Sequence, residues 1–263
     1  MFYVSKETLP LTRSTLIPLP HAFSTRQGGV SEGPFSSLNF RSGAGDSDEN
    51  IAENMTRLMA TFGRHRDDCA VTHQVHGANV RIVSSADRHP CGGKVPYDAD
   101  GIVTAEAGLP LVCFTADCVP VLLCDPVHKV IGAIHCGWRS SAADILGSAL
   151  AKMQALGADP KSLLAAIGPA LGPCCFETHR DVPDAVDVWL GADAEGIYRE
   201  IGGGKYLVDL KEANARRLLQ LGLQREQIDI SPECTYCSHD SYWSHRYTKG
   251  NRGLQCAVIM LED

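Results

Sequence analysis

Thr115-Ala116-Asp117-Cys118-Val119-Pro120-Val121-Leu122-Leu123-Cys124-Asp125-Pro126-Val127-His128-Lys129-Val130-Ile131-Gly132-Ala133-Ile134-His135-Cys136-Gly137-Trp138-Arg139 reads as a β-hairpin carrying a thiol and an imidazole to one end. Two apolar runs flank turn chemistry at Asp125-Pro126-Val127-His128. If Cys124 pairs with Lys129 across that loop, the paired numbers sum to 253 and Cys118 stands opposite His135. Cross-strand partners have Cβ atoms ~5 Å apart. Such a pair can share a metal ion or form a thiol–imidazole contact. Pro120 has no N–H for a ladder, so the strand should be an edge or be broken there.

Outward from the hairpin, the chain reads as short strands mixed with helices. Strand-like His21 to Arg26 leads to a Gly28-Gly29 turn. An amphipathic helix with Ile51, Met55, Leu58, Met59 and Phe62 on one face stops at Gly63. Strands are expected at Cys69–Gln74 and Ala78–Val83 around the turn Val75-His76-Gly77, and at Ile102–Thr104. Beyond the hairpin, Ser140 or Ser141 should cap a helix with Ile145, Leu146, Ala149, Leu150 and Met153 inward, ended by Gly157. A strand at Leu163–Ile167, helices near Val182–Leu190 and Lys211–Leu221, and a closing strand Gln255–Met260 complete the reading. The expected fold class is α+β: a single domain over residues 1–263 with mixed sheets layered with helices in an αββα-like sandwich.

The 263 residues carry a net charge of −7, 44% hydrophobic residues and no basic stripe, which argues against a nucleic-acid partner. No apolar signal core opens the chain and no run of ~18 uncharged apolar residues suggests a membrane span. A cytoplasmic protein without a membrane partner is the expectation; the oligomeric state is not legible. Eleven scattered cysteines do not resemble a secreted disulfide framework. Cys113, Cys124 and Cys256 sit in apolar strands and read as small buried hydrophobes.

Catalytic zinc usually takes three protein ligands and keeps one position open. Cys118 and His135 supply two, and His76 on the Gln74-Val75-His76-Gly77 turn is the best third, with Gly77 allowing the bend. His73 has the opposite parity to His76, so only one of them should serve. Cys234-Thr235-Tyr236-Cys237 has metal-like spacing but wants a second pair, with only His239 and His245 nearby. Cys174-Cys175 is too close-set for a standard chelating pair and reads as buried packing. Gly202-Gly203-Gly204-Lys205 is a turn, since it lacks the phosphate-loop spacing. No His-x-Glu deaminase signature and no Gly-x-Ser-x-Gly elbow is present. Arg26, Arg139 and Arg246, beside Gly-rich or aromatic turns, are the candidate anion ligands.

Taken in order, several motifs resemble the YfiH-type laccase-domain family over about residues 20 to 260. They are Phe23-Ser24-Thr25-Arg26-x-Gly28-Gly29-Val30-Ser31, Gln74-x-His76-Gly77 and Asp98-Ala99-Asp100-Gly101. Thr115-Ala116-Asp117-Cys118, His135-x-Gly137-Trp138-Arg139 and Gly168-Pro169 before Cys174-Cys175-Phe176-Glu177 follow. The resemblance implies a zinc site at His76, Cys118 and His135. It also implies purine nucleoside phosphorylase activity on adenosine, inosine, guanosine and methylthioadenosine, with adenosine deamination. The family has also carried the name multicopper polyphenol oxidase, and bacterial members have been linked to peptidoglycan-precursor editing. This chain departs from the pattern at Gly43, where many relatives carry His.

Three chemistries compete for the trio. Zinc would activate a water for deamination at the purine ring, with Asp117 as proton shuttle or partner of the ligands. Phosphorolysis adds an anion seat, for which Arg26 comes first and Arg246 second; the partners are then a nucleoside and phosphate. A metal-free hydrolase would use Cys118 as nucleophile and His135 as base. Copper oxidation of phenols would need clustered His-x-His pairs, and the ten histidines contain none.

Overall fold

Val119–Asp125 and Val130–Cys136 form the expected hairpin, buried along their whole length. Strands covered on both faces need no polar alternation, which is why both read as continuous apolar runs. The register differs from the expectation. Pro120 pairs with His135 and Cys124 with Ile131, so paired numbers sum to 255 and the loop is Pro126–Lys129. The buried Asp125 carboxylate explains the difference. It accepts from the amides of Val127 and His128 and from Asp159 N and Ser162 Oγ, tying Asp125 into the strand end. Cys118 is therefore a diagonal rather than a direct neighbour of His135. A slip of two residues keeps both side chains on one face of the sheet; a slip of one would have separated them.

A computed structural model describes residues 1–5, 9–89 and 95–263; Cys91 lies outside them. In chain order, β1 (Phe2–Val4), β2 (Leu11–Ser14) and β3 (His21–Ser24) precede α1 (Asp48–Ala60). Next come β4 (Val80–Ile82), β5 (Gly101–Thr104), β6 (Leu111–Thr115) and the hairpin β7 (Val119–Asp125) and β8 (Val130–Cys136). Then follow α2 (Trp138–Ala142), α3 (Ile145–Ala155), β9 (Leu164–Ile167), β10 (Glu177–Thr178) and α4 (Asp181–Leu190). The chain closes with β11 (Tyr198–Gly202), β12 (Lys205–Val208), α5 (Leu210–Gln220), β13 (Ile228–Ile230), α6 (His245–Thr248) and β14 (Gln255–Ile259).

Of the two large sheets, β1-β2-β3-β14-β6 is antiparallel throughout and β13-β9-β7-β8-β5-β4 is mixed, with parallel pairs at its two ends; a small antiparallel sheet, β10-β12-β11, stands apart. Leu122, Cys124, Ile131 and Ala133 from the hairpin pack against Phe23, Leu111, Cys113 and Ala257 of the first sheet. Val121, Leu123, Val130 and Ile134 turn the other way, onto Ile145, Leu146, Ala149 and Met153 of α3 and onto α4 and α5. On the outer face of the first sheet, Leu11, Val112 and Val258 meet Met55, Leu58 and Met59 of α1. The layers are thus helix, sheet, sheet, helix, as expected for the mixed α+β class.

Pro120 does not make β7 an edge. Its carbonyl accepts from Gly168 N (2.9 Å), so its polar edge faces β9 just beyond the last ladder pair, Val121 with Ile167. A missing N–H at that strand end costs no ladder bond. Asp144, in the left-handed region at φ 61°, caps α3 by accepting from Gly147 N; Ser140 and Ser141 lie inside α2 instead. The expected strand at Cys69–Gln74 is reduced to isolated bridges at Ala70 and His73. Gly202-Gly203-Gly204 is the turn of a β11–β12 hairpin.

Candidate metal centre and cavity

At the end of the layer between the two sheets, His76, Cys118 and His135 present ligand atoms that all lie within 4.8 Å of one another. Cys118 Sγ is 3.9 Å from His76 Nε2, and the two imidazoles meet edge to face with centroids 4.8 Å apart. His135 is buried, Cys118 half-buried and His76 exposed, so the trio opens to one side. His73 turns away and bonds Asp98 through Nδ1 at 2.8 Å.

The residue that organises this arrangement is Asp100, 0% exposed just before β5. Its carboxylate accepts from the amides of Val75 (3.1 Å), His76 (2.9 Å) and Gly77 (2.8 Å), and from His135 Nδ1 (2.8 Å). Burial pushes the Asp100 carboxyl up, but the His135 hydrogen bond and the Gly77 and Val75 amides outweigh it and hold the pKa below the ordinary value. An ionised carboxylate only accepts, so the proton of neutral His135 sits on Nδ1 and Nε2 is free to ligate. The same bonds hold the turn, where His76 itself, at φ 60°, takes the left-handed conformation. Sequence reading missed this role. Its signal was an acidic residue at the foot of a strand beside an x-His-Gly turn.

In the metal-free protein, burial raises the Cys118 thiol, but the charge and hydrogen bond of His135, followed by those of His76, bring it down to about 6. For His135, burial lowers the pKa, while the Cys118 charge and the Asp100 hydrogen bond lift it to about 9. A thiolate and two imidazoles form a donor set for zinc or copper. Gly137 keeps the space among them open: a Cβ there would stand 3.1 Å from His76 Cδ2 and 3.3 Å from Cys118 Sγ. The three side chains could hold a metal ion, and all three line the cavity.

That cavity, about 950 Å³, is lined by the trio together with Phe40, Tyr97, Phe114 and Trp138 and with Arg41, Arg246 and Arg252. It is of the size and apolar lining typical of small-molecule sites. Gln74 fixes its floor by bonding both polar groups of the Phe114 backbone, each at 2.7 Å. Arg252 Nε is buried without a hydrogen-bond partner. Burial, and then the charge of Arg41, bring the Arg252 pKa down to about 10. Arg41 Nη1 donates to the carbonyls of Gly250 and Arg252, which brings the two guanidinium groups close enough for their charges to act on each other.

The other predicted residues divide. Arg246 lines the cavity, and its backbone N–H donates to Asp117. Asp117, at φ 83°, is held by Thr235 Oγ1 and Arg246 N, both at 2.6 Å, which braces the turn into Cys118. Arg26 is spent on the backbone, donating to the Ser36 and His239 carbonyls over the Trp243 ring, and is not among the cavity residues. Arg139 lies over the Trp138 ring, also outside the lining. Cys174 is exposed rather than packed away. Cys113, Cys124 and Cys256 are buried as expected.

The chain from residue 20 to 262 matches the family model described as multi-copper polyphenol oxidoreductase laccase. It is 35% identical over 241 residues to a Geobacillus stearothermophilus protein named purine nucleoside phosphorylase YlmD, covering 90% of this chain and 88% of that one. A Deinococcus radiodurans purine nucleoside phosphorylase is 35% identical over 259 residues, with 96% and 93% covered. The crystal structure of YlmD from Geobacillus stearothermophilus superposes with a TM-score of 0.94 at 31% identity over 100% of both chains. With the layered fold, the trio and these matches together, the chain belongs to the multi-copper polyphenol oxidoreductase laccase family, whose members include proteins named YlmD and YfiH.

Proposed function

We propose that this protein is a zinc-dependent purine nucleoside enzyme, cleaving nucleosides with phosphate and deaminating adenosine. The observation that carries the reading is one cavity lined by the His76/Cys118/His135 trio, by aromatic side chains and by three arginines. The relatives named purine nucleoside phosphorylase support it.

Arg41, Arg252 and Arg246 are suited to hold phosphate by charge-assisted hydrogen bonds. Phe114 and Trp138, both half-buried in the lining, are suited to pack against a purine. In phosphorolysis a phosphate oxygen bonds to C1′ as the glycosidic bond breaks, and the base leaves with the electron pair and takes a proton. In deamination a water oxygen bonds to C6 and ammonia departs. Zinc at the trio would supply Lewis acidity at that end of the cavity. Asp100 keeps His135 oriented for it, and Asp117 keeps Cys118 in place. Zinc-loaded protein should release free base from inosine plus phosphate and inosine from adenosine. Absence of both products at full metal occupancy would refute the proposal.

One observation favours a second reading. Without metal, Cys118, His135 and Asp100 form a thiolate–imidazolium–carboxylate series suited to a cysteine hydrolase, including one editing a peptidoglycan precursor. Activity that survives complete chelation yet is abolished by alkylation would favour it over zinc. Copper-dependent phenol oxidation has weaker support. Among the described residues, histidine joins only one candidate metal cluster, the trio itself.

A further inference from the structure

Behind the cavity lining, four cysteines from two loops converge. Cys174 and Cys175 lie between β9 and β10, and Cys234 and Cys237 follow β13; their sulfurs all lie within 4.8 Å of one another. Cys174 Sγ is 3.6 Å and Cys175 Sγ 3.5 Å from Cys237 Sγ. Both distances far exceed a disulfide bond of about 2.05 Å. They resemble the edge of a tetrahedron of sulfurs around zinc, which for a Zn–S bond of about 2.3 Å is roughly 3.8 Å. We propose that these four cysteines form a second, structural zinc site, distinct from the His76/Cys118/His135 trio.

The backbone is arranged as such a site requires. Adjacent cysteines diverge in a strand, but here the Gly172 carbonyl accepts from both Cys175 N and Phe176 N, and this turn brings the neighbouring thiols together. Cys234 Sγ accepts from Gly172 N at 3.2 Å and from the amides of Cys237 and Tyr236, which favours its thiolate form. Gly172 permits the approach, since a Cβ there would stand 3.1 Å from Cys234 Cβ and 3.4 Å from Cys174 Sγ. A divalent ion with four thiolates carries two net negative charges. Buried Lys211, whose Nζ donates to the carbonyls of Ser231 and Glu233, lies near enough for the charges of Cys234 and Cys174 to act on it.

The ion would fasten together two loops that both grip Asp117. Leu171 N donates to the Asp117 carbonyl, and Thr235 Oγ1, inside the Cys234–Cys237 loop, donates to its carboxylate. The cluster would thus hold the turn that aims Cys118 without touching substrate. This inference stands whether or not the nucleoside activity is found.

Metal analysis of protein purified without chelator should give two zinc equivalents per wild-type chain. The Cys118→Ala variant should keep one, with X-ray absorption showing four sulfur neighbours. Cys237→Ser should lose one equivalent, retain the ion at the trio and unfold at a lower temperature. Should Cys237→Ser fail to fold, the Cys118→Ala spectrum decides alone. A single wild-type equivalent that disappears in Cys118→Ala would overturn the proposal. So would a Cys174–Cys237 or Cys175–Cys237 disulfide in the intact mass of freshly isolated wild type.

Discussion

Asp100 shows how much one buried carboxylate can decide. It accepts from three amides of the His76 turn and fixes the tautomer of His135, so two of the three proposed ligands depend on it. Asp100→Asn keeps the shape but lacks the charge and the second acceptor oxygen. Zinc affinity at the trio should fall about 10- to 100-fold, as for other partners of metal ligands, and competition with a chromophoric chelator would measure it. The thiol has its own signature. In chelator-treated protein, Cys118 alkylation should rise through about pH 6 and level off above it. In His135→Asn the rise should move up toward the ordinary thiol range, because the main charge lowering the pKa is gone. A rate profile unchanged by that substitution would show that the imidazole does not hold the thiolate.

At the scale of the element, the hairpin owes its register to Asp125 rather than to turn propensity alone. Burial raises that carboxyl, but the amides of His128 and Asp159, then the side chains of His128 and Ser162, bring it down to about 2 from 3.8. A depressed carboxylate contributes stability above its unfolded pKa, and that contribution is lost as pH falls through the folded value. For a shift of this size the contribution is about 2 kcal/mol. Acid unfolding of the wild type should therefore show this loss between about pH 4 and pH 2, where Asp125→Asn shows less. At neutral pH the variant should be destabilised by a similar amount in urea titration.

The whole molecule brings the two ends of the proposed chemistry together. The trio stands at the end of the inter-sheet layer, while Arg41, Arg246 and Arg252 come from the loop before α1 and the C-terminal region. Arg252→Gln removes a guanidinium whose Nε has no partner, leaving the trio intact. The KM for phosphate should rise roughly 10- to 100-fold, equivalent to the ~1.5–3 kcal/mol of a charged hydrogen bond. Adenosine deamination, which uses no phosphate, should be nearly unchanged. Equal losses in both reactions would show that Arg252 supports the cavity rather than the anion.

The division between sequence and tertiary structure follows the range of the forces. Periodicity and local turn chemistry were enough for α1, α4, α5, the central hairpin and the closing strand, because each records its own burial pattern. They also placed Cys118 and His135 on one face, since parity survives a two-residue slip. The exact register was not legible, because it depends on Asp125 meeting residues 159 and 162 from beyond α3. The role of Asp100, the placement of Arg26 outside the cavity and the meeting of Cys174-Cys175 with Cys234 and Cys237 were equally hidden. Each depends on partners from separate chain segments, and a linear pattern records residue types but not which distant loop the packing of two sheets will bring beside them.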